Sequence, residues 1–255
     1  MVLSFISANG GETMNKVVVF DLGGTLMEFV GMPPSWVDYY HTGFENVNNK
    51  YGLGISEKQI ETAAQILTEY NPRVNYRENE IPAEELFEKA VASWNCNIPV
   101  DNIIEAFFEG IKLNTVIYDY SFDLIEKYKR DGYSVACLTD IPSGMPDDYF
   151  KKCVLPLIEK IDLYVSSQNC GYRKPNPYGL NYIAKHYGVN VNELLFIGDE
   201  EKDRLTAERA KCNFCFIKDI NDLYIRTEQG AYKRRMCSSG ATDTETTPKH
   251  TDYYD

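Results

Sequence analysis

Four apolar residues in a row, Val17-Val-Val-Phe20, follow Lys16 and run directly into Asp21-Leu-Gly-Gly-Thr25. A short unbroken apolar run bounded by turn residues reads as a strand buried on both faces. Asp21 then stands at the carboxyl end of that strand, where open parallel sheets place their ligands. The two glycines let the chain turn sharply and come close to whatever is bound. Asp before Gly-Gly is also ordinary turn chemistry, so the weight of this segment depends on the rest of the chain.

After Gly31-Met-Pro-Pro34, a natural hinge, the period changes. Trp36, Tyr40, Phe44, Val47 and Tyr51 recur at helical spacing. Ser56 opens a second helix, with Gln59 three residues on as in a capping box. A third helix is predicted over 82–93, with Pro82 in its first turn. A fourth covers 101–112, with Ile104, Phe108 and Ile111 on one face. No strand is predicted between Thr25 and about Leu113, so 31–113 reads as an all-helical insert.

From Ser121 onward helices and strands alternate. Helices are predicted over 121–129, 176–186 and 200–211, the second stopped by Gly188. Strands are predicted over 134–138, 162–166, 194–197 and 214–217. The first of these runs into Thr139-Asp140 and the third into Gly198-Asp199. Alternation of this kind builds a parallel sheet covered by helices. The expected fold is therefore α/β: a Rossmann-like core from 14–30 and 114–226, a helical cap at 31–113, and a disordered tail at 227–255. The tail expectation rests on 238–255, which is rich in Ser, Thr, Gly and Asp and nearly without aliphatic residues. The run Lys233-Arg234-Arg235 at its start reads as solvated charge.

Charge narrows the functional classes. A net charge of -12 argues against a nucleic-acid binder, which gains affinity by neutralising phosphates with Lys and Arg. No apolar run approaches membrane-spanning length, so no membrane partner is expected. The first 13 residues are short for a signal peptide and lack a basic start; Met14 is an alternative start. Seven scattered cysteines, an odd number, read as reduced thiols of a cytoplasmic protein. Cys212-Asn-Phe-Cys215 has C-x-x-C spacing, but no second Cys or His pair accompanies it as a zinc site requires.

On one edge of such a sheet the chain would collect Asp21 and Thr25, Thr139, Lys174 in Arg173-Lys-Pro-Asn-Pro177, and Asp199 with Asp203. Taken singly, Asp199 reads as a helix cap, Asp203 as first-turn charge and Lys174 as a loop lysine. Taken together they suit phosphoryl transfer. Asp21 is a candidate nucleophile, Asp21 with Asp199 can hold Mg²⁺, Thr139 can donate to a phosphoryl oxygen, and Lys174 can neutralise charge.

These segments resemble the haloacid dehalogenase-like superfamily, in the branch with a helical cap inserted after the first motif. Asp21-Leu-Gly-Gly-Thr25 matches the first and last positions of that family's Asp-x-Asp-x-Thr, Ala136-Cys-Leu-Thr139 its second motif, Lys174 its third, and Gly198-Asp-Glu-Glu-Lys-Asp203 its fourth. The resemblance spans about 16–217 and implies a Mg²⁺-dependent hydrolase of a small phosphorylated metabolite. Asp21, Thr25, Thr139 and Lys174 would be catalytic. Asp21, the Gly23 carbonyl and Asp199 would hold the metal, with Asp203 and Gly198 in support. In this family the cap chooses the substrate, which makes Arg73 and Arg77, between cap helices, candidate anion-binding residues.

The chain departs from the family at Gly23, where phosphatases of this kind carry the Asp that protonates the leaving group and later activates water. Glu28, His41 and Glu200 are candidates for a substitute by sequence position. Two alternatives follow from the same departure. One is a catalytically inert member that binds a phosphorylated ligand or a protein. The other is a phosphonate hydrolase, whose branch uses a cap lysine as a Schiff base; Lys50 and Lys58 would be the candidates here.

Overall fold

The computed structural model describes residues 16–32 and 35–220. The expectations for Met14, the Pro33-Pro34 hinge, the basic run and the tail lie outside the described residues.

β1 (Lys16–Phe20) is the central strand of a five-stranded parallel sheet. On one side lie β4 (Tyr133–Thr139) and then β5 (Leu163–Ser166); on the other lie β6 (Leu194–Gly198) and then β7 (Asn213–Phe216). Phe20 is in register with both Cys137 and Ile197, so the chain ends of β1, β4 and β6 reach the same edge together. β1 is buried on both faces, and its side chains alternate between two cores. Val18 and Phe20 join a cluster that includes Leu124 and Ile125 of α5 (Ser121–Arg130) and Phe150 of α6 (Asp147–Cys153). Val17 and Val19 join a second cluster with Leu180 and Ile183 of α9 (Tyr178–Tyr187) and Ala207 of α10 (Glu201–Ala210). Two short helices, α7 (Leu155–Ile158) and α8 (Ser167–Cys170), flank β5, and a 3₁₀ turn at Val191–Glu193 leads into β6.

The insert is helical as the periodicity indicates: α1 (Val37–Tyr51), α2 (Glu57–Glu69), α3 (Ala83–Ala90) and α4 (Val100–Ile111). Ser56 and Gln59 form the capping box that starts α2. α3 is shorter than the sequence suggests, because Pro82 caps it and the chain turns at Val91–Trp94. β2 (Met27–Phe29) and β3 (Thr115–Ile117) pair antiparallel where no strand was expected. Each is too short to show a period, and each finds its partner only across the whole insert. Val30 N–H donates to Asn114 O at 2.9 Å just beyond this pair.

The insert and the sheet share one hydrophobic cluster, which runs from Val18 and Phe20 to Phe44, Phe87 and Phe107. Phe107 lies at its aromatic centre, with ring centroids 4.9 Å from Phe44, 5.0 Å from Phe87 and 5.2 Å from Phe108. It approaches α1 at Gly43, where a Cβ would stand 2.5 Å from its ring. Phe29 of β2 joins the two parts, with Trp36 at 5.4 Å and Phe150 at 6.1 Å. No helix among the described residues is long and apolar enough to cross a membrane.

Removing the Phe107 ring leaves a cavity in this shared cluster. Phe107→Ala is expected to destabilise by about 3–5 kcal/mol, read as a lower urea midpoint. The insert and the sheet should still unfold in a single transition.

Candidate active site

The sheet edge assembles the site. Asp21 extends β1 by one residue and donates its N–H to Ile197 O at 2.8 Å, which ties it to β6. The chain then closes a tight turn in which Leu22 O accepts from Thr25, Leu26 and Met27. Gly24 is held at φ 78, and a Cβ there would stand 2.1 Å from Asp199 Oδ2. Only glycine lets the turn come this close to the β6 side. Tyr120 and Ser121, at the start of α5, donate to Thr25 O and Leu26 O, each at 2.7 Å, and hold the turn from below.

Lys174 reaches the same point from the loop after α8. Its ammonium lies 2.7 Å from Asp21 Oδ1 and 2.5 Å from Asp203 Oδ1, and all three side chains are buried. Asp203 also accepts from the N–H groups of Asp199 and Glu200 at 3.2 and 3.0 Å; it closes a capping box with Glu200 as the N-cap of α10, the place that Asp199 suits by sequence. Gly198 is required for this, since a Cβ there would stand 2.6 Å from the Asp203 side chain. Asp199 accepts from Thr25 Oγ1 at 3.2 Å. Thr139 ends β4, buried, in the row beside Asp21. The structure thus brings Asp21, Gly23, Thr25, Thr139, Lys174, Gly198, Asp199 and Asp203 to one edge.

Charge at this edge is unbalanced. Asp21, Asp199 and Asp203 each offer an oxygen within 4.8 Å of the others; the Lys174 ammonium contacts two of them, and Lys202 acts on Asp21 and Asp199 from farther off. Burial, with Asp203 and Asp199 nearby, holds the Asp21 carboxyl well above the usual carboxylate range despite Lys174. Burial, Asp203 and Glu200 push Asp199 up to about 6. Burial alone would lower Lys174, but Asp203 and Asp21 outweigh it and raise its pKa well above the ordinary lysine value. A buried, all-oxygen donor set with surplus negative charge fits a hard divalent cation.

Around this centre lies a rim that sequence reasoning missed. Asp140 accepts from Lys174 N–H at 3.0 Å and sits 3.4 Å from Lys202 Nζ. Burial opposes its ionisation, but Lys202, Arg173 and Lys174 prevail and bring it down to about 2. The signal was present in its position directly after Thr139. Lys202, inside the fourth motif, also lies 3.2 Å from Glu200.

The remaining candidates separate. Arg73 reaches the rim from the insert, 2.5 Å from Glu200 Oε1. Arg77 is engaged elsewhere, donating to Tyr70 O, Asn79 O, Glu80 and Ser143 Oγ. Glu200 is ill suited as an acid, because Lys202 and Arg73 overcome its burial and bring it to about 2. His41 is bound to Glu57 at 2.7 Å on the insert, and Glu28 points outward from β2. Lys50 lies 2.6 Å from Glu109, which raises its pKa; a Schiff-base lysine needs the opposite shift. Lys58 is exposed on α2. Cys212 and Cys215 are free thiols.

The surplus charge has a measurable cost. A carboxyl whose pKa rises on folding leaves stability unaffected below its unfolded value near 4, and destabilises as pH climbs through its folded value near 6. Asp199→Asn keeps the acceptor for Thr25 and removes the charge. At pH 7 without metal it is expected to stabilise by about 1–3 kcal/mol, and the gain should vanish below pH 4. Paired urea titrations at both pH values check this.

Residues 15–211 match the family described as haloacid dehalogenase-like hydrolase. The chain is 24% identical over 201 residues to a phosphoglycolate phosphatase of Aliivibrio fischeri, covering 78% of this chain and 82% of that protein. It is 27% identical over 219 residues to a phosphoglycolate phosphatase of Thiobacillus denitrificans, with the same two shares. The fold resembles a 2-haloacid dehalogenase from Pseudomonas syringae at a TM-score of 0.57 and 16% identity, over 79% of this chain and 85% of that one. It also resembles a family enzyme from Bacteroides thetaiotaomicron, solved with magnesium and inorganic phosphate, at a TM-score of 0.50 and 18% identity, over 79% and 93% of the two chains. With the family matched across most of its length and the parallel sheet placing the motif residues on one edge, this chain belongs to the haloacid dehalogenase-like hydrolases.

Proposed function

We propose that the protein is a magnesium-dependent phosphatase that acts on a small phosphorylated metabolite through an aspartyl-phosphate on Asp21. The observation that carries this reading is the buried Asp21 carboxylate at the centre of the sheet edge, 2.7 Å from Lys174 and grouped with Asp199 and Asp203. Relatives named phosphoglycolate phosphatase point to the same chemistry and make phosphoglycolate the first substrate to test.

In this reading an Asp21 oxygen attacks phosphorus, the ester oxygen departs on the far side, and water then cleaves the acyl phosphate. Lys174 orients Asp21 and offsets charge on the phosphoryl oxygens, and Thr139 donates to one of them. Asp21, Asp199 and the Gly23 carbonyl would hold Mg²⁺, while Asp203, occupied by Lys174 and two N–H groups, anchors Lys174 and α10. The bound ion would supply positive charge to the phosphoryl group and lift the repulsion among the carboxylates. Arg73, on the insert and paired with Glu200, would meet the anionic end of a substrate.

Gly23 favours a second reading, in which the site binds a phosphorylated ligand and turns it over slowly or not at all. The two readings part on one substitution. A Cβ at Gly23 meets nothing within 4 Å, and its φ lies outside the left-handed region, so neither backbone strain nor a Cβ clash opposes an Asp there. Gly23→Asp is expected to raise kcat on alkyl phosphates by about 10²–10⁴, the usual worth of general acid–base help. Asp21→Asn and removal of magnesium by EDTA should each abolish turnover. A panel of phosphoglycolate, p-nitrophenyl phosphate and acetyl phosphate checks all three; no turnover by wild type or Gly23→Asp contradicts the phosphatase reading.

A further inference from the structure

The segment between α2 and α3 belongs to the insert, yet it forms a small ladder with the core. Glu80 N–H donates to Gly171 O at 2.9 Å, and Arg173 N–H donates to Glu78 O at 2.7 Å, closing an antiparallel bridge between Asn79 and Tyr172. This ladder meets the core immediately before Lys174.

Side chains tighten it. The Glu80 carboxylate is 3% exposed. Its Oε1 accepts from Arg77 at 3.2 Å and from its neighbour's Ile81 N–H at 3.0 Å, and its Oε2 accepts from Arg173. The Arg173 guanidinium is 7% exposed and donates also to Ile141 O at 2.9 Å, in the loop that follows Thr139. Arg77 donates to Ser143 Oγ in that same loop at 3.1 Å. On the other flank of Lys174, Arg209 donates to Pro175 O at 3.4 Å and to Glu78 Oε1 at 2.7 Å. Both residues that bracket Lys174 in the chain are therefore held, directly or through an arginine, by Glu78 and Glu80 of the insert.

We propose that Glu80 is a positioning residue for the phosphoryl site: through Arg173, and with Glu78 and Arg209 on the opposite flank, it fixes the backbone from which Lys174 reaches Asp21 and Asp203. A buried carboxylate between two guanidinium groups neutralises a repulsion that would otherwise push the loops apart. Removing its charge leaves Arg77 and Arg173 facing each other with one fewer anion, and the Lys174 loop loses its clamp. The role in catalysis rests on the phosphatase reading above; the role in holding the loop does not.

Glu80→Gln keeps the shape and removes the charge. Hydrogen exchange of the full chain reads the amides of Arg173, Lys174 and Asn176, all hydrogen-bonded in the clamped loop. Their protection is expected to fall about 10–100-fold, the range for losing one charge-assisted hydrogen bond, while peptides of β1 and α10 stay unchanged. With p-nitrophenyl phosphate, kcat should fall by about tenfold or more with KM within about threefold, because a displaced Lys174 is missed chiefly in the transition state. Glu85→Gln, which breaks only the surface pair with Lys89, should change neither. Should Glu80→Gln fail to fold, Glu78→Gln, whose carboxylate is 29% exposed, must give the same local pattern at smaller size. Unchanged protection at 173–176, a loss spread evenly over the protein, or unchanged kcat overturns the proposal. If neither wild type nor Gly23→Asp shows turnover, the phosphatase reading fails, and the exchange pattern alone still decides whether Glu80 holds the loop.

Discussion

Three buried or half-buried carboxylates, Asp21, Asp199 and Asp203, cluster at one edge, and the Lys174 ammonium joins two of them, Asp21 and Asp203. The rest of the site depends on this contact. Like charges this close are tolerable only where a cation lies between them and hydrogen bonds satisfy the remaining oxygens. Asp203 meets that condition with Lys174 and the N–H groups of Asp199 and Glu200, just before α10. Asp199 has the Thr25 hydroxyl, and Asp21 has one oxygen on Lys174. The arrangement stores repulsion at the point where a metal and a phosphoryl group would be received, as functional sites commonly do.

Geometry elsewhere follows from that convergence. Gly24 and Gly198 are the positions where the backbone must come within Cβ distance of Asp199 and Asp203. Gly23, between Asp21 and Gly24, has open space instead. A Cβ there would meet no neighbour within 4 Å, so close packing does not require glycine at this position. The insert supplies the shared aromatic core around Phe107 and one strand of the ladder beside Lys174.

Much of this was legible in the sequence. The run Val17–Phe20, the alternation after Ser121 and the reactive residues at strand ends carried the sheet, its parallel sense and the members of the constellation. Local signals do not reach further. β2 and β3 are defined by each other across the insert, and no window along the chain contains both. Arg77 reads from the sequence as a candidate anion-binding residue between cap helices, yet it is bound to Glu80 and Ser143, partners whose nearness is a product of folding. Asp140 and Lys202 were adjacent to motif residues in sequence, but their pairing across two loops exists only in the folded chain. Glu80 carried no signal, because a glutamate before an apolar-proline step is ordinary until Arg173 is brought against it.

The proposed mechanism requires Asp21 to be a working nucleophile in a metal-dependent phosphoryl site. Trapping with beryllium fluoride and Mg²⁺, read by fluorine NMR and crystallography, tests it without requiring a known substrate. The account predicts a trifluoroberyllate group on an Asp21 oxygen, dependent on Mg²⁺, contacted by Lys174 and Thr139 and lost in Asp21→Asn. A folded protein that forms no such adduct at saturating fluoride and magnesium would contradict it.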